Sequence, residues 1–294
     1  MIADRLTACI REGDLAAGET GPARQTTGTH GRDSVMAMNE AEDTDLRVVW
    51  ETTRFRARSA LPGQETVQPG SELHQDDALL HPFPLSAAAQ TALSVAQEHW
   101  RVLLASLAGE RSEGQQVVEL HINGQYSLVR GALENATRAI WLLGPDDSQT
   151  RIVRRLKLKN QEFRKAVNLR REEGQPNAGR WEERRTTLAA IAHRAQVSFG
   201  NDRVTYTDIV KDAGDRTPGL GEVGAFSAWS RCSALAHGDE TAFVNLDVER
   251  LSSEDGVTQA RVTGSAATLA RYLWAAARLF DQGIELFHQR ARTA

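Results

Sequence analysis

Residues 265–290 read SAATLARYLWAAARLFDQGIELFHQR, and their apolar spacing decides the class of fold. Ala266, Leu269, Ala270, Leu273, Ala277, Phe280, Ile284 and Phe287 recur at steps of three and four, the stripe that one helix face turns to a core. The same period runs back through the chain. A helix over about 85–107, with Ser86 as N-cap, aligns Ala89, Leu93, Ala96, Trp100 and Leu103. A second, about 117–143, aligns Ile122, Tyr126, Val129, Leu133, Ala136 and Ile140. Gly144-Pro145-Asp146-Asp147 closes it and caps a third over about 148–173, expected to bury Ile152, Leu156, Phe163 and Val167.

Gly174 to Asn177 breaks the pattern, and a fourth helix runs to about Val197. Residues 198–221 are looser, with a helical turn at 206–212. Residues 222–237 form a helix built on Val223, Phe226, Trp229 and Cys232 or Ser233. Two β-like runs, 243–249 and 257–262, flank Ser-Ser-Glu-Asp-Gly at 252–256, a hairpin signal. Long amphipathic helices joined by short loops predict an all-α antiparallel bundle over 85–294, with a small β-hairpin inserted before the last helix.

The N-terminal third reads differently. Residues 1–45 mix Gly, Thr, Ala and charge without periodic apolar positions, so they are expected to be a disordered tail. Met36 and Met38 stand there as alternative starts, just before an acidic run. Residues 46–84 are expected to be an irregular connector, with one short strand or helix over Leu46–Phe55 and a Pro-rich end at 81–84.

Charge follows the same boundary. Residues 1–84 hold 8 Lys or Arg against 14 Asp or Glu, whereas the remainder holds 27 against 25 and is nearly neutral. A near-neutral body argues against broad, non-specific nucleic-acid binding, though not against a local basic groove. The run from Arg151 to Arg185 has 12 basic against 5 acidic residues. Helix-wheel placement scatters them, with Arg154 and Lys165 opposite the core and Arg155 and Lys159 beside it, as on a solvated face.

Cys9 and Cys232 are the two cysteines, too far apart and too unlike in context for a disulfide framework or a thiolate metal site. No apolar run approaches the ~20 residues that span a bilayer, and the start carries no basic-then-apolar leader. A cytoplasmic protein without membrane contact is expected. No phosphate-binding Gly-rich loop, nucleophile elbow or His-Glu-x-x-His pair occurs, so no cofactor and no metal are expected.

One stretch carries chemistry: Trp229-Ser-Arg-Cys-Ser-Ala-Leu-Ala-His-Gly238. Arg231 and His237, with five residues between them, resemble the Arg-x(4–6)-His signature of the HEPN superfamily of small helical bundles. Trp229, Ser233 and His237, at steps of four, resemble an aromatic-Ser-His pattern in bacterial bundle proteins related to that group. Arg130 and Glu134, one turn apart in the second helix, are similar to an Arg-x3-Glu pair in the same relatives. The resemblance implies an RNA-cleaving enzyme that needs no metal, often a dimer with two motifs facing one cleft. Cys232 departs from it, since nuclease members usually carry a polar residue there.

The residue types suit that reaction. Imidazole transfers protons near neutral pH, and a guanidinium fork holds phosphate oxygens. Six residues at 100° each set Arg231 and His237 about 120° apart on a continuous helix. Both meet one phosphate only if the helix ends near His237, as Gly238 suggests, or if a second protomer contributes. The leading expectation is therefore a HEPN-like ribonuclease with Arg231 and His237 catalytic and Ser233, Arg130 and Glu134 accessory. Its partners would be RNA or a nucleotide and a second copy of the chain. The competing expectation is a non-catalytic nucleotide- or partner-binding bundle, or a structural homodimer, with Arg231 solvated and His237 serving the helix C-terminus.

Overall fold

The computed structural model describes residues 6–11, 33–63, 66–109, 118–175, 178–200, 203–254 and 257–293. In chain order the elements are strand β1 (Leu6–Arg11) and helices α1 (Asp33–Arg58), α2 (Glu72–Leu80), α3 (Leu85–Leu107), α4 (Gly124–Leu143) and α5 (Ser148–Glu172). Then follow α6 (Ala178–Arg194), α7 (Tyr206–Asp215), α8 (Ala225–His237), a 3-10 turn (Glu240–Asn245), β2 (Asp247–Glu254), β3 (Val257–Thr263) and α9 (Ala266–Ala291). The all-α bundle and the hairpin before its last helix are present as expected. Among the described residues no helix is long and apolar enough to cross a membrane.

Helix ends depart from the sequence reading where a distant side chain intervenes. Ser86 lies inside α3 rather than at its N-cap. The Asp77 carboxylate, nine residues back, accepts its backbone N–H at 2.9 Å and also its hydroxyl. α4 starts at Gly124, not near Val117, because Gln125 folds back onto the preceding loop. Its Oε1 accepts the His121 N–H at 3.1 Å, and its Nε2 donates to the Glu119 carbonyl at 2.8 Å. Asp147 caps α5 through the Thr150 N–H at 2.7 Å, and a capping box between Thr205 and Asp208 starts α7.

The chain divides into two compact units. The first comprises the described parts of Met1–Ser59, Gln97–Leu133 and Leu220–Ala277; the second, those of Ala60–Ala96, Glu134–Gly219 and Arg278–Ala294. α3, α4 and α9 each give one part of their length to either unit.

In the first unit a three-stranded antiparallel sheet has the order β1-β3-β2. β1 lies in the segment expected to be a disordered tail, and Leu6 pairs with Val262. Its sequence alternates Leu6, Ala8 and Ile10 with Thr7, Cys9 and Arg11, a period-2 signal too short to stand out. α1 likewise begins within that tail and runs through the expected strand-or-helix segment. It buries Val49, Thr53 and Ala57 at steps of four. Side chains of α3 serve its C-terminal carbonyls: Gln97 donates to Ser59 O at 2.5 Å and Arg101 to Ala57 O at 3.3 Å.

α8 is rotated from its expected face. Ala225, Ala228, Cys232 and Leu235 are buried, whereas Phe226 is 38% exposed and stacks obliquely on Trp229 at 5.9 Å between ring centroids. The inward face of α8 is thus mostly small side chains, with Phe226 exposed and Trp229 half-buried. In α4 Gly131 permits close packing on α3, since a Cβ there would lie 2.1 Å from the His99 ring.

In the second unit α2 packs on α5 and α6, within the stretch expected to be an irregular connector. Its reason is electrostatic. Arg151, 2% exposed in α5, bonds Asp76 of α2 at 2.6 Å and Glu72 at 3.1 Å. It also donates to the carbonyls of Pro145 and Asp146 at 2.9 and 2.8 Å. Arg290 of α9 meets the same groups, bonding Glu72 at 2.8 Å and Asp146 at 2.7 Å. Ser148 donates its hydroxyl to Asp76. Phe163, expected in the core, is only half-buried. It meets Phe83 edge-on at 5.6 Å and carries Lys159 and Arg184 over its face at 5.0 and 4.9 Å. Gly283 of α9 fits against α3, where a Cβ would come 2.9 Å from Leu93.

Asp76→Ala leaves the buried Arg151 cation without its closest partner and is expected to cost ~3–5 kcal/mol, read from urea denaturation. Asp212 gives the acid counterpart. Burial pulls its carboxyl upward, but the bidentate Arg154 (2.8 Å to each oxygen) and Arg216 outweigh that and hold it below the ordinary range. Its contribution is present above the unfolded value near ~3.9 and disappears as pH falls through the lower folded value. In Asp212→Asn the dependence of the denaturation midpoint on pH below ~4 should be shallower than in the parent chain.

Candidate functional site

α8 ends where the sequence places its imidazole. Gly238 adopts the left-handed conformation at φ 72°, and its N–H and that of Asp239 donate to the carbonyls of Leu235 and Ala234 at 3.2 and 2.9 Å. A glycine is suited to that φ because it has no Cβ to clash. His237 is thus left exposed on the last turn, facing the polar side of α4.

The partner it meets is Arg130. The Arg130 Nη1 lies 3.1 Å from His237 Nε2, joining residues 107 positions apart in sequence. A guanidinium can only donate, so Nε2 is the acceptor in this bond. Asn123, with its amide nitrogen turned to α8, donates to the Leu235 carbonyl at 3.1 Å and ties the start of α4 to the end of α8. An acceptor nitrogen and a fixed cation therefore sit together at the surface of the first unit.

Arg231 goes elsewhere. It is exposed and hydrogen-bonds the hydroxyl of Tyr272 in α9. Burial raises the Tyr272 pKa while the Arg231 charge and hydrogen bond pull it down. α8 is unbroken from Ala225 to His237, so the ~120° offset between Arg231 and His237 stands. Ser233 is half-buried one turn before His237. Glu134 is half-buried one turn beyond Arg130 in α4 and belongs to the second unit. The pair that comes together is Arg130 with His237, one residue expected as accessory and one as catalytic.

Beneath them lies an enclosed cluster of Tyr126, Tyr272 and Cys232. The two tyrosine rings meet edge-on at 6.1 Å. Burial pushes the Cys232 thiol up, and the nearby Arg130 charge offsets only part of that effect. Burial likewise raises the Tyr126 hydroxyl, reinforced by Cys232 and Tyr272. These groups stay protonated and neutral at physiological pH, so none of them serves as a nucleophile. Tyr272, the partner of Arg231, stands outside the aliphatic and phenylalanine stripe by which α9 is recognised in the sequence. Its spacing of three from Leu269 would have revealed it.

Among the described residues no group of three or more His, Cys, Asp or Glu gathers as a metal site. The enclosure of Cys232 has a direct consequence. In the native chain it should resist an alkylating reagent at pH 8 and react only after denaturation, read as site-resolved labelling by peptide mass spectrometry; rapid native labelling would contradict its burial. Compared with known proteins, the chain matches no family model, no curated protein and no solved structure.

Proposed function

We propose that the protein is a HEPN-like ribonuclease that cleaves RNA without a metal, with His237 as the base and Arg130 as the phosphate anchor. The contact between Arg130 and His237 carries this reading. It pairs a proton acceptor with a cation at an exposed helix end, the two groups that cleavage by the ribose 2′-hydroxyl requires. When RNA binds, a phosphate takes over the Arg130 guanidinium and the 2′-hydroxyl takes its place at Nε2. His237 then accepts the hydroxyl proton as the 2′-oxygen bonds to phosphorus and the 5′-oxygen leaves, taking a proton from water. The products are a 2′,3′-cyclic phosphate and a 5′-hydroxyl. Arg231, expected as the anchor, acts in this scheme from the neighbouring face of α8 as a further cation for the strand.

The bond between Arg231 and Tyr272 favours a second reading, a non-catalytic module whose α8 arginine is structural. Trp274, 53% exposed in the first unit, fits the homodimer form of that reading.

The full chain is incubated with an end-labelled single-stranded RNA and its all-deoxy counterpart in the presence of EDTA. The expected result is cleavage of RNA alone, with cyclic phosphate ends. His237→Ala should lower the rate by roughly 10²–10⁴-fold, and Arg130→Ala by a comparable factor. Equal trace cleavage by the parent and His237→Ala removes the enzyme reading and leaves the non-catalytic one.

A further inference from the structure

The outward side of α8 carries two aromatic rings on the same face as His237. At 100° per residue, Phe226, Trp229, Ser230, Ser233 and His237 fall within one sector of ~100° around the helix axis. The buried Ala225, Ala228, Cys232 and Leu235 occupy a separate sector of ~80°. α8 is continuous over this length, so the two serines lie between the ring pair and the imidazole. Phe226 is 38% exposed and Trp229 half-buried, with 36° between their planes. Ser227 and Ser230, both exposed, rim the pair, and no Asp or Glu occurs from Ala225 to His237. All these residues, and Arg130, belong to the first unit.

A helix that packs through alanines while holding its largest rings at the surface gains little core volume from them. Exposed aromatic surface with a polar rim marks a binding surface. A partner helix would dock on apolar anchors spaced at i, i+3, i+4 and i+7. Here the positions that follow the rings on this face are Ser230, Ser233 and His237, so a partner helix finds anchors at one end only.

We infer that Phe226 and Trp229 form a stacking platform for a base of single-stranded RNA whose scissile phosphate lies at Arg130 and His237. The inference rests on the ribonuclease reading for the identity of the strand and adds its form, which is unpaired. Every base has a π-face that an aromatic ring accepts, whereas in a duplex those faces are covered by neighbouring pairs. The rise of α8 sets the rings ~12–17 Å from His237 along the axis. Nucleotides advance ~3.4 Å each when stacked and further when splayed, so a strand covers that interval in about five or fewer. Ser230, exposed between the rings and the imidazole, is short enough to let the backbone pass, and its hydroxyl suits contacts to sugar and phosphate.

The test uses the full chain at low ionic strength with EDTA and an end-labelled all-deoxy single strand longer than about five nucleotides. That strand lacks the 2′-hydroxyl, so its fluorescence anisotropy reads binding without cleavage. It should bind at least about tenfold more tightly than the same sequence in a duplex. Phe226→Ala should weaken it roughly 5–150-fold, as loss of one base–aromatic contact does. Phe226→Tyr keeps the ring and should bind like the parent, whereas Phe226→Leu keeps apolar bulk alone and should not. Phe55→Ala, at a 64% exposed ring of α1, should leave binding unchanged. Circular dichroism checks each fold, and Trp229→Leu replaces Phe226→Ala if that chain does not fold. In RNA cleavage, Phe226→Ala should raise KM for the long strand and leave kcat unchanged, and a dinucleotide, too short to reach the rings, should be cleaved equally by both. Ring-dependent binding of the deoxy strand without any RNA cleavage keeps the platform and removes the enzyme reading; cleavage with binding indifferent to the rings removes the platform alone. The inference also fails if the single strand does not bind, if the duplex binds as tightly, if Phe226→Leu matches the parent, or if Phe55→Ala weakens binding as much as Phe226→Ala. A dimer in sedimentation that Phe226→Ala dissolves and the strand cannot displace would overturn it in favour of a contact between copies.

Discussion

Two buried arginines reaching for the same short turn organise the second unit. Arg151 and Arg290 come from helices far apart in sequence, yet both bond Glu72 and both donate to the Pro145 carbonyl. Arg290 also reaches the Leu143 carbonyl, at the C-terminal end of α4. Carbonyls left over at a helix end need donors, and here charged side chains supply them in place of water. An isolated buried cation would be costly, but Asp76 and Glu72 neutralise Arg151, Glu72 and Asp146 neutralise Arg290, and the carbonyls of Leu143, Pro145 and Asp146 take further donors. Leu73, Ile152, Leu156 and Phe287 are among the buried apolar residues of this unit, while the polar knot ties α2, α5 and α9 to one turn.

That knot explains both the success and the limit of sequence reading for the fold. Helices α3, α5 and α9 were legible because each shows a stripe of apolar residues with the helical period over more than twenty positions. α2 was not, since its nine residues are short and its docking depends on Glu72 and Asp76, whose partners lie 72 or more positions away. Ser86 looked like an N-cap by type, but the cap came from Asp77, a through-space relation that spacing does not encode. α8 was placed correctly along the chain and rotated wrongly about its axis. Its large rings suggested a buried face, whereas alanines and a cysteine do the packing.

At the candidate site, the importance of the last turn of α8 was legible, because His followed by Gly signals a helix end with an exposed imidazole. The identity of its partner was not. Arg130 was noted for its pairing with Glu134 within α4, and only three-dimensional packing turns its guanidinium to His237. Arg231, closer in sequence, is carried to another face by the pitch of the same helix and meets Tyr272.

The polar knot also shapes how such a chain comes to be. Ribosomes deliver residues in order, so Glu72 and Asp76 emerge long before the guanidiniums that neutralise them. The bond from Arg290 to Glu72 closes a span of 218 positions, and contacts of that separation form slowly. Until then Glu72 and Asp76 have no guanidinium to meet, so α2 gains its docking partners only after α5 and α9 have been made.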